Sequence, residues 1–161
     1  MLSMYKALGI ILVISSGLIT SRKILAESKK DLSKINALIE LVSNFMIKIE
    51  SLCIPIPEIL TDIAPEILIK CGYDPAELPK DSEGLLEKCS FKYDKQLYGM
   101  YSAFLKSLGK GYKNEEIAKC RIFCEEIKAL SQKKADEYRN KRKTVPALCI
   151  SFSLGTVILL I

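Results

Sequence analysis

Apolar residues in this chain are concentrated at its two ends. Residues 7–21 and residues 144–161 contain no charged side chain. A helix of about 17 to 25 residues crosses a bilayer, and the first segment reaches that length if Lys6 and Arg22 extend their charges to the two interfaces. We therefore predict an N-terminal transmembrane anchor at residues 1–23 and a C-terminal transmembrane segment at residues 144–161.

The N-terminal segment also fits a secretory signal peptide. Lys6 precedes an apolar stretch, and the small residues Ser15, Ser16 and Gly17 fit the region before a cleavage site. The second uncharged segment at the C-terminus argues against cleavage. Whether the N-terminal segment is retained stays open at this point.

Between the ends, apolar residues recur every three or four positions, which is typical of amphipathic helices. No run of alternating apolar and polar residues indicates a strand. We predict an all-α fold: an antiparallel bundle of about six helices, with the helical domain at residues 24–143 and one transmembrane helix at each end. The two long stripes are Leu32, Ile35, Leu38, Ile39, Val42, Phe45, Met46 and Ile49, and then Ile117, Cys120, Cys124, Ile127, Ser131, Ala135 and Tyr138. Each stripe could form an internal core or a coiled-coil seam with a second copy, so a homo-oligomer is possible.

Prolines, glycines and capping residues predict where the intervening helices begin and end. The first long helix should end before Pro55 and Pro57, because a proline disfavours helical geometry in the residue before it. Further signals are Pro57 in the first turn of a new helix, Gly72 closing a helix at residues 65–71, Asp81 or Ser82 as a cap, Gly109 to Gly111 as a terminator, and Asn114 as the cap of the last helix. Pro146 either begins a new helix or kinks a continuous one.

The charge distribution predicts the orientation in the membrane. The chain has 24 Lys plus Arg and 19 Asp plus Glu, a net charge of +5. Basic residues flank both uncharged segments on the sides that face the centre, so the positive-inside rule places the central domain in the cytoplasm. The flanking residues are Arg22, Lys23, Arg139, Lys141, Arg142 and Lys143. We expect membrane lipid as a partner and no nucleic acid, because aromatic residues are not interleaved with these charges.

The chain offers little for catalysis. It contains no histidine, which is the commonest general base near neutral pH and the commonest metal ligand. Cys120 and Cys124 stand one turn apart without a CxxC pair, and the six cysteines are expected to be reduced and to pack as small apolar residues. We therefore expect no enzyme, no catalytic or metal-binding residues and no cofactor.

Three segments carry a resemblance to a known family. Residues 54–64 (IPIPEILTDIA), residues 104–109 (FLKSLG) and residues 154–161 (LGTVILLI) resemble the stage III sporulation protein AB family of endospore-forming bacteria, as does the N-terminal anchor that passes into a long helix. The resemblance implies a fold like the cytoplasmic helical bundle of the type II secretion system F protein.

The resemblance also implies a role and partners. Members belong to a secretion-like channel complex in the mother cell membrane that faces the forespore. The central domain would act as a non-enzymatic platform for a secretion-type ATPase and other membrane proteins of the complex. The paired prolines of residues 54–64 favour a rigid turn presented outward, with Pro55, Pro57, Glu58 and Asp62 as candidate contacts. The alternative function is a membrane-tethered helical sensor or signalling module.

Overall fold

The structure is a computed structural model that describes the backbone of residues 2–52 and 54–160 and the side chains of residues 9–52 and 54–158. Over these residues the chain forms six α-helices and no strand, which confirms the predicted all-α fold. The helices are α1 (Leu2–Ile47), α2 (Ile56–Thr61), α3 (Pro65–Cys71), α4 (Ser82–Glu87), α5 (Lys95–Ser107) and α6 (Lys113–Leu160), and a π-helical turn (Lys48–Leu52) follows α1.

The helices are divided between two compact units. The bundle unit spans Leu32–Gln132, and the terminal unit combines the start of α1, up to Asp31, with the end of α6, from Lys133. The predicted membrane boundaries at residues 23 and 144 lie inside the terminal unit. α1 and α6 each contribute residues to both units.

In the bundle unit, α1 and α6 pair in antiparallel directions. The Lys113 ammonium donates to the carbonyl of Glu50 at 2.7 Å, and the Ser131 hydroxyl donates to Asn36 Oδ1 at 2.8 Å. Residue numbers rise along α1 where they fall along α6, so the two helices run in opposite directions. This pairing makes them the long walls of the bundle unit.

The apolar stripes predicted on α1 and α6 form much of the core. Leu38 and Val42 of α1 and Cys120 and Ile127 of α6 are each 0% exposed. The pattern missed four further buried apolar residues, namely Ala37, Leu41, Phe123 and Leu130. Because one copy of the chain already covers these faces, the stripes are an internal core over residues 35–49 and 120–130 rather than a seam that needs a second copy.

The signals for the short helices are largely confirmed. Gly72 adopts a left-handed conformation (φ 93°) directly after α3, where a side chain would be strained. The Asp81 carboxylate accepts a hydrogen bond from the Gly84 amide at 2.7 Å, so Asp81 rather than Ser82 caps α4. Pro57 and Pro65 lie in the first turns of α2 and α3, where a missing N–H costs little.

The predicted cap at Asn114 is wrong. α6 begins at Lys113, so Asn114 lies inside its first turn and is exposed. Glu115 accepts a hydrogen bond from the amide of Tyr112, the residue before the helix, at 3.1 Å. Glu116 accepts hydrogen bonds from the backbone amides of Gly109 at 3.0 Å and Gly111 at 2.8 Å. A carboxylate near a helix N-terminus is stabilised by the free N–H groups and the helix dipole, and this one reaches back to the preceding turn.

Pro146 lies inside α6, so no new helix begins there. The first long helix ends as expected, since α1 and the π-helical turn stop at Leu52. Cys53, the next residue, lies outside the described part of the chain.

α1 contains the apolar stretch predicted near the N-terminus. The helical segment Gly9–Leu52 is long and apolar enough to cross a membrane. Its most apolar part has a mean hydropathy of 1.5, and only 6% of that part is buried inside the protein. A transmembrane anchor and a signal sequence both fit this stretch. Within the described residues no second helix meets the same criterion, and the predicted segment at residues 144–161 extends into residues 159–161, whose side chains lie outside the described part.

Replacing a buried leucine of α1 tests the antiparallel core. Leu41 is 0% exposed and Ile47, on the same helix, is 56% exposed. We expect Leu41→Ala to lower the free energy of unfolding by about 2 to 5 kcal/mol, because it removes apolar contacts and leaves a cavity. Denaturant unfolding of the detergent-solubilised chain, followed by circular dichroism, measures the change. Ile47→Ala is the matched control and should change it by less than about 1 kcal/mol; equal losses would contradict the described core.

Candidate functional site

The predicted partner-contact segment forms the entry to α2. The backbone of Pro55 is extended (φ −60°, ψ 144°), and its carbonyl accepts hydrogen bonds from the next turn. Ile59 and Leu60 are buried and hold α2 on the core, while Pro55, Pro57 and Glu58 are exposed. The prolines and the buried anchors together present the exposed side of this segment in a defined conformation.

Asp62, the fourth predicted contact, is engaged within the chain. Its carboxylate and its carbonyl both accept from the Lys48 ammonium, at 2.6 Å and 2.7 Å. The Asp62 side chain is 81% exposed, so the ion pair contributes at most about 1 kcal/mol to stability. The sequence did not indicate this partner, which lies in the π-helical turn. Asp62 therefore links α2 to that turn and is a weaker candidate for contact than Glu58.

A cleft lies beside this ion pair. It has a volume of about 320 Å³ and lies between α1, the π-helical turn, α2 and α3. Its lining is mostly apolar, and its polar members are Asn44, Lys48 and Asp62. The full lining is Leu41, Asn44, Phe45, Lys48, Ile59, Asp62, Ile63, Ala64 and Ile67.

The turn between α5 and α6 lies at the same end of the bundle unit as the predicted segment. A Cβ built on Gly109 would lie 3.9 Å from Cβ of Ile56, and Lys113 bonds to Glu50. Leu52 is 63% exposed and Tyr112 is 84% exposed at this end. We call Leu52, Pro55, Pro57, Glu58 and Tyr112 the end surface. The structure thus adds Leu52 and Tyr112 to the predicted contacts.

A second apolar groove, which the sequence did not indicate, lies between α5 and α6. Phe104 and Phe123 stack at its floor with ring centroids 4.3 Å apart, and Ile122 at its edge is 58% exposed. Small residues along one side of α5, namely Gly99, Ala103 and Ser107, leave the groove open. Their spacing of four residues was the available sequence signal.

The buried tyrosines and cysteines beneath these surfaces form a neutral network. The Tyr73 hydroxyl donates to the carbonyl of Leu85 at 2.7 Å and lies 3.2 Å from the Tyr101 hydroxyl. Burial raises the pKa of both tyrosines above the usual value, and it raises the pKa of the Cys71 thiol to about 12. These groups are protonated at neutral pH, so they bond and pack rather than act as nucleophiles.

The buried cysteines on α6 also have raised pKa values. Burial, followed by the neighbouring Cys124, raises the pKa of Cys120 to about 12, and burial also raises the pKa of Cys124 and Cys89. Within the described residues no three potential metal ligands are grouped together. Cys71, Cys89, Cys120, Cys124 and Cys149 are all free thiols.

Glu116 is a buried carboxylate that stays ionised. It is 3% exposed, and burial alone would raise its pKa. The Lys119 ammonium at 2.6 Å and the two amide donors of the preceding turn outweigh burial, so the pKa lies below the usual value. Lys119 also donates to the carbonyl of Ser107 at 2.9 Å. The carboxylate thereby joins α6 to the end of α5, which is a structural role.

The predicted membrane-flanking basic residues all lie in the terminal unit and are exposed. Arg139 pairs with Asp136 at 3.5 Å, and both side chains are largely exposed. We call the six residues the basic collar: Arg22, Lys23, Arg139, Lys141, Arg142 and Lys143.

We compared the chain with protein-family models, with curated proteins and with solved structures, and none of the three comparisons gave a match.

The depressed pKa of Glu116 predicts a pH dependence of stability. A carboxylate with a lowered folded-state pKa stabilises the fold above its unfolded pKa of about 4.3, and this contribution is lost as the pH falls through the folded-state value. We expect Glu116→Gln to destabilise the chain near neutral pH and to flatten the loss of stability below about pH 4.3. Unfolding measured across the acid range tests this. Glu125→Gln, at an exposed position of α6, is the control, and an unchanged acid profile in Glu116→Gln would contradict the assignment.

Burial and raised pKa values predict unreactive thiols. We expect Cys71 and Cys120 to react with a maleimide more than about 100-fold more slowly than an exposed cysteine, because the thiolate is the nucleophile. Tyr112→Cys, at a position 84% exposed, supplies the exposed reference in the same chain. Mass spectrometry of peptides after timed labelling gives each rate. Denaturant should equalise the rates, and rapid labelling of Cys71 in the folded chain would show that the core is open.

Proposed function

We propose that this chain is a non-enzymatic membrane component of a sporulation secretion-like channel complex, as a member of the stage III sporulation protein AB family. Its central domain lies in the cytoplasm of the mother cell, at the membrane facing the forespore. There it is a platform on which a secretion-type ATPase and other membrane proteins of the complex assemble.

A single observation carries the proposal. α1 joins an apolar stretch, of which 6% is buried, to an amphipathic stretch whose apolar face lies in the bundle core. An exposed apolar surface of this length is rare on a soluble domain and is expected of a helix that lies in a bilayer. A helix that is both anchor and core wall suits a membrane-attached platform better than it suits a freely diffusing protein.

A second span at residues 144–161 completes the proposal. Gly17 and Ser153 lie so close within the terminal unit that a Cβ on Gly17 would be 2.6 Å from Ser153 Oγ. Close contact through small residues is how helices pack inside membranes. Large apolar side chains of this segment, including Leu148 and Phe152, are exposed, as lipid-facing residues would be.

The end surface is the proposed site of assembly. It combines two exposed prolines, an exposed leucine and an exposed tyrosine with the carboxylate of Glu58, on segments held by the buried Ile59 and Leu60. Aromatic and apolar residues in a fixed conformation lose little entropy on binding, which favours protein contacts. The alternative of a sensor that signals through coiled-coil seams gains no support, because the stripes are covered within the chain.

Localisation and deletion test the proposal directly. We expect the full-length chain to stay in the membrane fraction after alkaline carbonate extraction, and its deletion to block sporulation after engulfment. Cysteines placed at position 112 and near residue 1 test the topology by labelling from either side. A soluble chain, or a deletion strain with normal spore yield, would rule the proposal out.

The platform role predicts a charge-sensitive contact at Glu58. We expect Glu58→Arg to reduce co-purification of the secretion-type ATPase and the other subunits by at least about tenfold, since a charge reversal in an interface costs more than about 1.4 kcal/mol. Glu83→Arg reverses an exposed charge in the first turn of α4 and is the matched control. Equal co-purification by both variants would place the contact elsewhere.

A further inference from the structure

A stretch of α6 just before its apolar end is exposed on all sides. Every residue from 139 to 144 is exposed, which covers more than a full helical turn. Successive residues of a helix are about 100° apart, so Lys141, Arg142 and Lys143 lie on different sides of α6. Within the described residues these three side chains form no ion pair, unlike Arg139. The bare stretch is therefore a surface of concentrated positive charge.

The charge of this region is strongly one-sided. Residues 133–143 contain six basic and two acidic residues, and residues 22–31 of α1 contain four basic and two acidic residues. The basic collar lies in these two stretches, and both belong to the terminal unit. Cations crowded in this way repel each other unless anions lie nearby.

An apolar surface begins directly after the charge. Leu148, 68% exposed, is five residues beyond Lys143, or about 7.5 Å along the helix. Phe152, one turn further, is 80% exposed. The only common surface that offers dense negative charge next to an apolar phase at this spacing is an anionic lipid bilayer.

We propose that the basic collar selects anionic phospholipids, so that headgroup phosphates surround the turn at Lys141 to Lys143 while acyl chains cover the apolar residues beyond it. This rests on the membrane anchoring in the proposed function. A soluble polyanion such as a nucleic acid fits less well, because it would leave Leu148 and Phe152 uncovered. Tyr138 is also the only aromatic residue within residues 133–143, and one residue does not make a series of stacking platforms.

A tryptophan placed in the apolar stretch measures the lipid selection. The chain contains no tryptophan, so Leu148→Trp gives a single fluorescent reporter in the full-length protein. The protein is reconstituted in bilayers of phosphatidylcholine and phosphatidylglycerol in which one lipid or the other carries bromine, a fluorescence quencher. The ratio of quenching by the two lipids gives their relative association beside the collar.

We expect phosphatidylglycerol to be preferred by about fivefold or more, since a basic residue near an anionic surface contributes roughly that factor. The triple variant Lys141→Gln, Arg142→Gln, Lys143→Gln removes the charges nearest to the reporter and should lower the ratio to less than half of its original value. Salt at about 1 M should have a similar effect, because it shortens the screening length to about 3 Å.

A matched control removes the same charge elsewhere. Lys80, Lys92 and Lys95 are exposed in the bundle unit, and their replacement with glutamine should leave the ratio unchanged. An equal fall in both triple variants would show that net charge and not the collar is responsible, and would overturn the inference. Abolition of the preference by a stoichiometric amount of duplex DNA would overturn it in favour of a nucleic-acid site.

Membrane integration separates this inference from the proposed function. If carbonate extraction leaves the protein in the bilayer but both lipids quench equally, the lipid selection fails and the platform function stands. If carbonate extracts the protein, the membrane anchoring itself fails and the inference fails with it.

Discussion

The antiparallel contact between α1 and α6 is the interaction on which the rest of the structure depends. Leu38, Leu41 and Val42 of α1 belong to the same buried cluster as Cys120 and Ile127 of α6, and each is 0% exposed. Short helices of six to thirteen residues, such as α2 to α5, are marginal on their own in water, and they gain their stability from packing on these two walls. The same two helices carry the apolar ends of the chain, so these ends and the core share the longest helices.

The buried polar groups stabilise connections rather than perform chemistry. Glu116 holds the turn between α5 and α6 by accepting hydrogen bonds from two backbone amides and from Lys119. The Tyr73 hydroxyl donates to the carbonyl of Leu85 and lies next to the Tyr101 hydroxyl. Burial keeps the tyrosines and thiols neutral, while the amide and ammonium donors keep Glu116 charged. In both cases the protonation state is the one that satisfies the hydrogen bonds of the folded chain, which agrees with the proposed platform role.

Both proposed interaction surfaces consist of exposed residues outside the buried core. The end surface lies at the turns joining α1 to α2 and α5 to α6, where exposed Leu52, Pro55 and Tyr112 are supported by buried anchors. The basic collar lies in the terminal unit, where residues 139–144 are all exposed. One surface is apolar and conformationally fixed, as protein partners require, and the other is cationic and beside exposed apolar residues, as an anionic bilayer requires.

The sequence by itself determined the all-α class, the long stripes, most helix ends and the apolar N-terminal stretch. These follow from periodicity, capping and hydropathy, which act over a few residues. It missed the bonds from Glu116 to the turn before α6, the Lys48 partner of Asp62 and the open groove at Ile122. It also left open whether the stripes form an internal core or a seam between two copies. Each of these depends on which distant segments meet, because burial and long-range pairing exist only once the chain has folded. Tertiary structure alone decided that α1 and α6 cover each other and that Leu52 and Tyr112 lie at the same end of the bundle unit as the paired prolines.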